Sequence, residues 1–138
     1  MSNEEPGLKP VAENEDEWRR RLTPEQFEVL RRSGTERPFA GAYTDTETPG
    51  IYRCAACGNP LHTSDTKFHS GSGWPSFTEV VSPDAVRLVE DTSHGMVRTE
   101  VRCARCDSHL GHLFPDGPPD RGGMRYCINS VALDLDPT

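Results

Sequence analysis

Apolar residues along the chain follow two periods, one before Gly34 and another after it. Between Trp18 and Gly34 the sequence WRRRLTPEQFEVLRRSG carries Phe27 and Leu30 three positions apart, the spacing of a helical stripe that docks on a core. Thr23 stands where an N-cap belongs. Pro24 suits the first helical position, and Gln26 completes a capping box. Arg31 and Arg32 fall in the last turn, where they complement the helix dipole, and Gly34 is the expected stop. The pattern predicts a packing helix from Pro24 onward and assigns it no chemistry.

No long segment of helical period follows Gly34. Residues Arg37 to Gly50 read as irregular chain. Ile51-Tyr52-Arg53 reads as a short strand, followed by stronger ones at Phe77–Val81, Ala85–Glu90, Met96–Cys103 and Arg125–Leu135. Prolines at 83, 115, 118 and 119 and glycines at 111, 117, 122 and 123 separate them. The expected architecture is an N-terminal helix followed by a mainly β, mostly antiparallel domain.

Composition adds a constraint. At 138 residues the chain fits one domain, yet hydrophobic residues are only 33% of it and 12 glycines and 12 prolines make it loop-rich. Such a domain needs something besides apolar burial to hold it. Residues 1–17 are polar and acidic and are expected to form a flexible arm, leaving 18–138 as the single folded domain. The net charge of −7 argues against a nucleic-acid partner, which calls for clustered Lys and Arg. No apolar run is long enough for a membrane span, and the N-terminus has no signal-peptide pattern, so a cytoplasmic location and a monomer are expected.

Two cysteine pairs supply the missing clip. Cys54-Ala-Ala-Cys57 and Cys103-Ala-Arg-Cys106 each have the spacing that wraps one edge of a tetrahedral ion. Thiolates are soft ligands, so Zn²⁺ is the expected ion and iron the alternative; four protein ligands close the shell and make the metal structural. Redox-active CxxC disulfides, or four ordinary buried thiols, would also fit the spacing.

The fifth cysteine, Cys127, has no partner. Alternation along Arg125-Tyr126-Cys127-Ile128-Asn129 puts Arg125, Cys127 and Asn129 on one face of a strand. A cation beside a thiol lowers its pKa and raises the thiolate fraction. Upstream, Ser108-His109-Leu110-Gly111-His112-Leu113-Phe114-Pro115-Asp116 reads as a loop presenting two histidines and a carboxylate for acid–base work. Trp74, in the turn Ser70-Gly71-Ser72-Gly73-Trp74-Pro75, suits either the core or the wall of an apolar pocket.

Three blocks, SGSGWPSF, RCARCDSHLGHLFPDGP and GGMRYCINSVAL, together with FAGAYTDTETPGIYRCAACGNPLHTSDTKF, resemble the signature segments of methionine sulfoxide reductases of the B type. The likeness spans about Phe39 to Leu135. It implies two antiparallel sheets in a tent-like arrangement, a zinc held by four cysteines, and reduction of the R epimer of methionine sulfoxide. It implies Cys127 as nucleophile, with His109, His112, Asp116, Arg125 and Asn129 on the polar side. Trp74 and Phe114 would then hold the substrate's ε-methyl group. His112 would donate a proton to the sulfoxide oxygen with His109 assisting, and Asp116 would orient the histidines.

One departure from many members of that family bears on the cycle. Where they carry a resolving cysteine before the GWP motif, this chain has Ser72. A one-cysteine cycle follows, in which thioredoxin, glutaredoxin or a small thiol attacks oxidised Cys127. The rival readings are a zinc-stabilised β domain that binds without catalysis, and a nucleic-acid zinc ribbon that the acidic charge disfavours. Oxidised proteins or free methionine sulfoxide would be the substrate in the enzymatic reading.

Overall fold

A computed structural model describes residues 8–138, so the first seven residues of the expected arm lie outside the described part. Two helices come first among the elements of the described residues. α1 (Glu15–Arg21) is capped by Asn14, whose Oδ1 accepts the Glu17 N–H at 2.9 Å, and runs from three acidic residues to three arginines. That order complements the helix dipole at both ends and is the local reason the segment coils. Its beginning within the acidic stretch was not expected from the hydrophobic pattern, because Trp18 is its sole buried residue. The guanidinium groups of Arg21 and Arg31 each lie 4.9 Å from the Trp18 ring and cover it.

α2 (Pro24–Arg32) starts on the expected capping box, with Thr23 Oγ1 accepting Gln26 N–H at 3.1 Å and Gln26 Oε1 accepting Thr23 N–H at 3.0 Å. Such a cap stabilises a helix by about 1 kcal/mol. Phe27, Val29 and Leu30 are buried. The left-handed C-cap residue is Ser33, at φ 58°, rather than Gly34, which follows it and donates its N–H to Glu28 O.

Nine strands follow: β1 (Gly50–Cys54), β2 (Pro60–Thr63), β3 (Lys67–Phe68), β4 (Ser76–Phe77), β5 (Val86–Asp91), β6 (Arg98–Cys103), β7 (His109–Phe114), β8 (Arg125–Ile128) and β9 (Leu133–Pro137). They form two antiparallel sheets, one ordered β2-β1-β9 and the other β3-β4-β8-β7-β6-β5. Tyr52 and Leu61 from the first sheet and Phe77, Val101, Leu110 and Ile128 from the second are fully buried in one core. Tyr52 meets Phe77 edge-on at 5.1 Å, and His62 stacks on Phe77 at 4.1 Å.

Three segments differ from the expected elements. The strand expected over Phe77–Val81 is paired only at Ser76–Phe77, because Thr78 N–H bonds Thr66 O and Val81 N–H bonds Leu61 O as the chain crosses between sheets. The strand expected over Arg125–Leu135 is two strands, β8 and β9, split by a 3-10 turn at Ser130–Ala132 that carries the chain from one sheet into the other. The stretch read as a histidine loop is β7 for most of its length. None of the described helices is long and apolar enough to cross a membrane.

Candidate active site

The site is built on β7 and β8, neighbours at the centre of the six-stranded sheet. Their register sets His112 opposite Cys127 and Phe114 opposite Arg125. Because alternate residues share a face, these four side chains project to the same side. The two strands come close enough that a Cβ on Gly111 would lie 1.9 Å from Cys127 O, so only glycine fits there.

His109 and His112 are three positions apart, which on a regular strand would turn them to opposite faces. A bulge corrects this. β6 pairs Val101 with Gly111 but Arg102 with His109, leaving Leu110 as an extra residue on β7. The bulge brings the two imidazoles to 5.4 Å between centroids, and Leu110 into the core.

A cavity of about 220 Å³ opens beside Cys127, with His112, Phe114, Arg125, Asn129 and Trp74 in its wall. Six of the eight residues singled out for catalysis and substrate binding therefore meet in one place. Glu36, just before the irregular stretch and marked by no motif, ties two walls together. Its carbonyl accepts Trp74 Nε1–H at 3.1 Å and its N–H donates to Asn129 Oδ1 at 3.0 Å. Asn129 Nδ2 donates in turn to Leu110 O at 3.0 Å, so the amide is fixed at both ends. Ser72 also lines the cavity and acts to lower the pKa of the Cys127 thiol.

The remaining two candidates stand behind the wall. Asp116 does not reach the histidines. It forms a two-pronged pair with Arg125, Nε to Oδ1 at 2.9 Å and Nη2 to Oδ2 at 3.2 Å, and this pair lowers the Asp116 carboxyl below its usual range. The Arg125 guanidinium lies over the Phe114 ring at 4.6 Å, so the fork is held from a second side. His109 is only 3% exposed, and its Nδ1–H donates to Glu100 Oε2 at 2.6 Å. Burial pushes its pKa below the ordinary value, although Glu100 pulls the other way. Its Nε2 is buried without a hydrogen-bond partner.

The partners of both histidines were thus not those expected. Glu100 serves His109, and Asp91 serves His112, whose Nε2 lies 2.8 Å from Asp91 Oδ2. Neither acid is marked by any motif around it, since each comes from a different strand. The expectation of a lowered Cys127 pKa also needs correcting. Burial raises the thiol above its usual value, and Arg125 and Ser72 recover only part of that rise.

At the far end of β1 and β6 the four paired cysteines converge, all buried, with every sulfur within 4.8 Å of the others. Cys54 Sγ lies 3.7 Å from Cys106 Sγ, and Cys57 Sγ lies 3.6 Å from Cys103 Sγ. A tetrahedral ion with sulfur at about 2.3 Å has an edge of ~3.8 Å, so the cage fits a metal of that size. Each pair is a matching turn, with Gly58 N–H on Cys54 O and Asp107 N–H on Cys103 O, both at 2.8 Å. Gly58 and Asp107 both take positive φ, which is how the two turns point four sulfurs at one centre.

With this geometry in place, comparison with known proteins is informative. The SelR domain matches residues 22–137. The chain is 58% identical over 126 residues to the peptide methionine sulfoxide reductase MsrB of Synechococcus sp. (strain RCC307), covering 91% of this chain and 92% of that one. It is 57% identical to the protein of the same name from Pseudomonas fluorescens (strain Pf0-1), covering 94% and 98%. For the one from Leifsonia xyli subsp. xyli the identity is 58%, covering 95% and 94%. Among solved structures, the Mis18 'Yippee-like' domain superposes with a TM-score of 0.52 at 20% identity, covering 65% of this chain and 97% of that one; this is a likeness of fold alone. The chain belongs to the SelR-domain family, that of the MsrB-type peptide methionine sulfoxide reductases.

Proposed function

We propose that this protein reduces the R epimer of methionine sulfoxide in peptides, with Cys127 as nucleophile and His112 as proton donor. The observation that carries the reading is the single cavity in which a thiol, an imidazole directly across from it, a cation, a fixed amide and two aromatic rings meet. Methionine sulfoxide is a polar head on a flexible apolar chain, and a pocket with one polar and one aromatic wall suits it.

In the first step Cys127 Sγ, as thiolate, attacks the sulfoxide sulfur while His112 gives a proton to the oxygen. A positioned acid contributes about 10²–10⁴-fold to such a transfer. The protonated oxygen then passes from the substrate sulfur to Cys127 Sγ: the substrate sulfur–oxygen bond and the transient sulfur–sulfur bond break, a sulfur–oxygen bond forms on Cys127, and methionine leaves with Cys127 as sulfenic acid. Thiol and sulfoxide become sulfenic acid and sulfide, so no net proton is consumed. Arg125 and Ser72 stabilise the thiolate, Asn129 fixes the polar wall, and Trp74 and Phe114 hold the ε-methyl group. His109 acts through His112, being buried behind it. Asp116 acts through Arg125.

Regeneration relies on an external thiol. The four other cysteines form the metal cage, so no described thiol remains to condense with the sulfenic acid. Thioredoxin or a small thiol attacks Cys127, releasing water and forming a mixed disulfide, and a second thiol frees the enzyme. Zinc is the ion proposed for the cage, in a structural role; free thiols of this kind suit the cytoplasm. A monomer suffices, since every wall of the cavity comes from one chain.

Dithiothreitol-driven turnover of each epimer tests the reading. The wild-type enzyme should reduce R-sulfoxide alone, and Cys127→Ser should abolish even a single turnover. Retained turnover in Cys127→Ser, or activity on the S epimer alone, overturns the assignment; an unchanged rate and pH profile in His112→Asn removes His112 as donor. Inactivity toward both epimers would favour a zinc-stabilised binding domain.

A further inference from the structure

We infer that Asp91, the last residue of β5, is the positioning residue that presents His112 to the sulfoxide oxygen, by accepting the Nε2 proton and leaving Nδ1 to face the cavity. The inference rests on His112 being the proton donor and deepens that reading. An imidazole has two ring nitrogens, and one of them, Nε2, lies 2.8 Å from Asp91 Oδ2. An ionised carboxylate can only accept, so Nε2 carries a hydrogen whether the ring is neutral or cationic. Any proton His112 gives to substrate must then come from Nδ1. The hydrogen bond at one nitrogen fixes the tautomer at the other.

Asp91 is itself held in place. Its Oδ1 accepts the Ser93 N–H at 3.0 Å in the turn that follows β5, and Arg98, its cross-strand partner, brings Nη2 to 3.4 Å of Oδ2. Its carboxyl lies well below the usual range, chiefly because of the bond from His112, so it is ionised wherever the enzyme works.

Other charged and titratable groups surround His112, and each is already committed. Glu100 of β6 stands directly opposite it in register, yet its Oε2 takes His109 Nδ1–H at 2.6 Å and its Oε1 lies 3.0 Å from Arg102 Nε. Arg98 of β6 is turned to Asp91. On β8, Arg125 is engaged by Asp116, and Cys127 is the nucleophile. His109, the neighbour on β7, is engaged by Glu100. Asp91 alone among the described carboxylates has an oxygen within bonding distance of His112. During the step Nδ1–H passes its proton to the oxygen, Asp91 stays ionised throughout, and the ring is left neutral with hydrogen on Nε2.

Two measurements test this. Nitrogen-15 NMR of the histidine-labelled wild-type protein reads the tautomer of His112, expected to be Nε2–H in the neutral ring; an Nδ1–H tautomer overturns the inference without any variant. In single-turnover reduction of peptide methionine-R-sulfoxide, Asp91→Asn should slow sulfenic acid formation at least about tenfold, a part of the ~10²–10⁴-fold that a positioned acid contributes, and should shift the pH profile. Asp91→Glu should restore part of the rate. A slowed Asp91→Asn whose tautomer and pH profile match the wild type would mean a merely structural role and sink the idea. If Asp91→Asn keeps its rate while His112→Asn is slow, Asp91 is overturned and the donor assignment stands. If His112→Asn is itself unaffected, both readings fall.

Discussion

His112 and Cys127 face one another across β7 and β8, so the proposed proton donor and the proposed nucleophile are held by a hydrogen-bonded ladder and not by loops. Their separation is fixed by how closely two strands approach, and Gly111 is what permits that approach. Sites carried on regular strands hold reacting groups more tightly than sites on loops.

Gly111→Ala is expected to damage the site through the backbone, by forcing apart the two strands that carry it. The added methyl would collide with the Cys127 carbonyl, and β7 and β8 would have to part at the pair that matters. A displacement of 1 Å at reacting groups costs about 10²-fold, and overpacking costs about 1–3 kcal/mol of stability. Single-turnover rate and thermal unfolding measured together check this. A stable variant with the wild-type rate would show that the strand separation is not what sets the geometry.

The Cys127 thiol should behave as a weak acid in the free enzyme. Burial dominates over Arg125 and Ser72, so its pKa lies above the ordinary 9.0 for a cysteine. Alkylation by iodoacetamide proceeds through the thiolate. The rate should rise with pH through the neutral range and still be rising at pH 9. Arg125→Met, which keeps bulk against Phe114 but removes the charge, should move the curve higher; one pKa unit means about tenfold slower alkylation at pH 7. A plateau near neutral pH would contradict this account.

Ser72 lines the same cavity as Cys127, where a cysteine is expected to capture the sulfenic acid. Its hydroxyl belongs to a short serine chain with Ser70 at 2.8 Å and Ser76 a further 2.7 Å away from Ser70. Ser72→Cys should convert the one-cysteine cycle into a two-cysteine one. Mass spectrometry after one equivalent of sulfoxide should find a gain of one oxygen on wild-type Cys127, and an intrachain disulfide in the variant. Persistent sulfenic acid in Ser72→Cys would mean that the two positions cannot close a bond of ordinary geometry.

What the sequence made legible was local. Thr23 to Gln26 determine a helix start through contacts three residues apart, and each CxxC forms its own turn, so both could be read directly. The strip Arg125, Cys127, Asn129 followed from alternation alone. What was missed depends on pairing between distant strands. The bulge at Leu110 turns His109 toward His112, and no feature of the segment SHLGHLF announces it. The pairs Asp91–His112 and Glu100–His109 join residues 21 and 9 positions apart, and Asp116, closer in sequence to the histidines, was drawn instead to the stronger two-pronged contact with Arg125. α1 was hidden for a different reason. It has one buried residue, so hydrophobic period could not mark it, although Asn14 and the acid-to-base order of Glu15–Arg21 are a start signal in their own right.

His62 ties stability to pH away from the site. It is fully buried, stacked on Phe77, with Nδ1–H donating to Glu79 O at 2.7 Å and Nε2 without a partner. Burial lowers its pKa to about 4, against 6.5 in the unfolded chain. The folded state holds the neutral ring, so its contribution is fully present above pH 6.5 and is lost as pH falls from 6.5 toward 4, where the unfolded chain binds the proton more readily. A difference of this size corresponds to about 3 kcal/mol. Guanidinium unfolding of wild type and His62→Gln across that range checks it. The variant should be less stable at pH 7, because the stacked ring is gone, yet lose less on acidification. Since both proteins carry the same cysteine cage, any pH effect on the metal cancels in the comparison. Equal slopes for the two would mean that His62 takes up its proton as readily in the fold as in the unfolded chain.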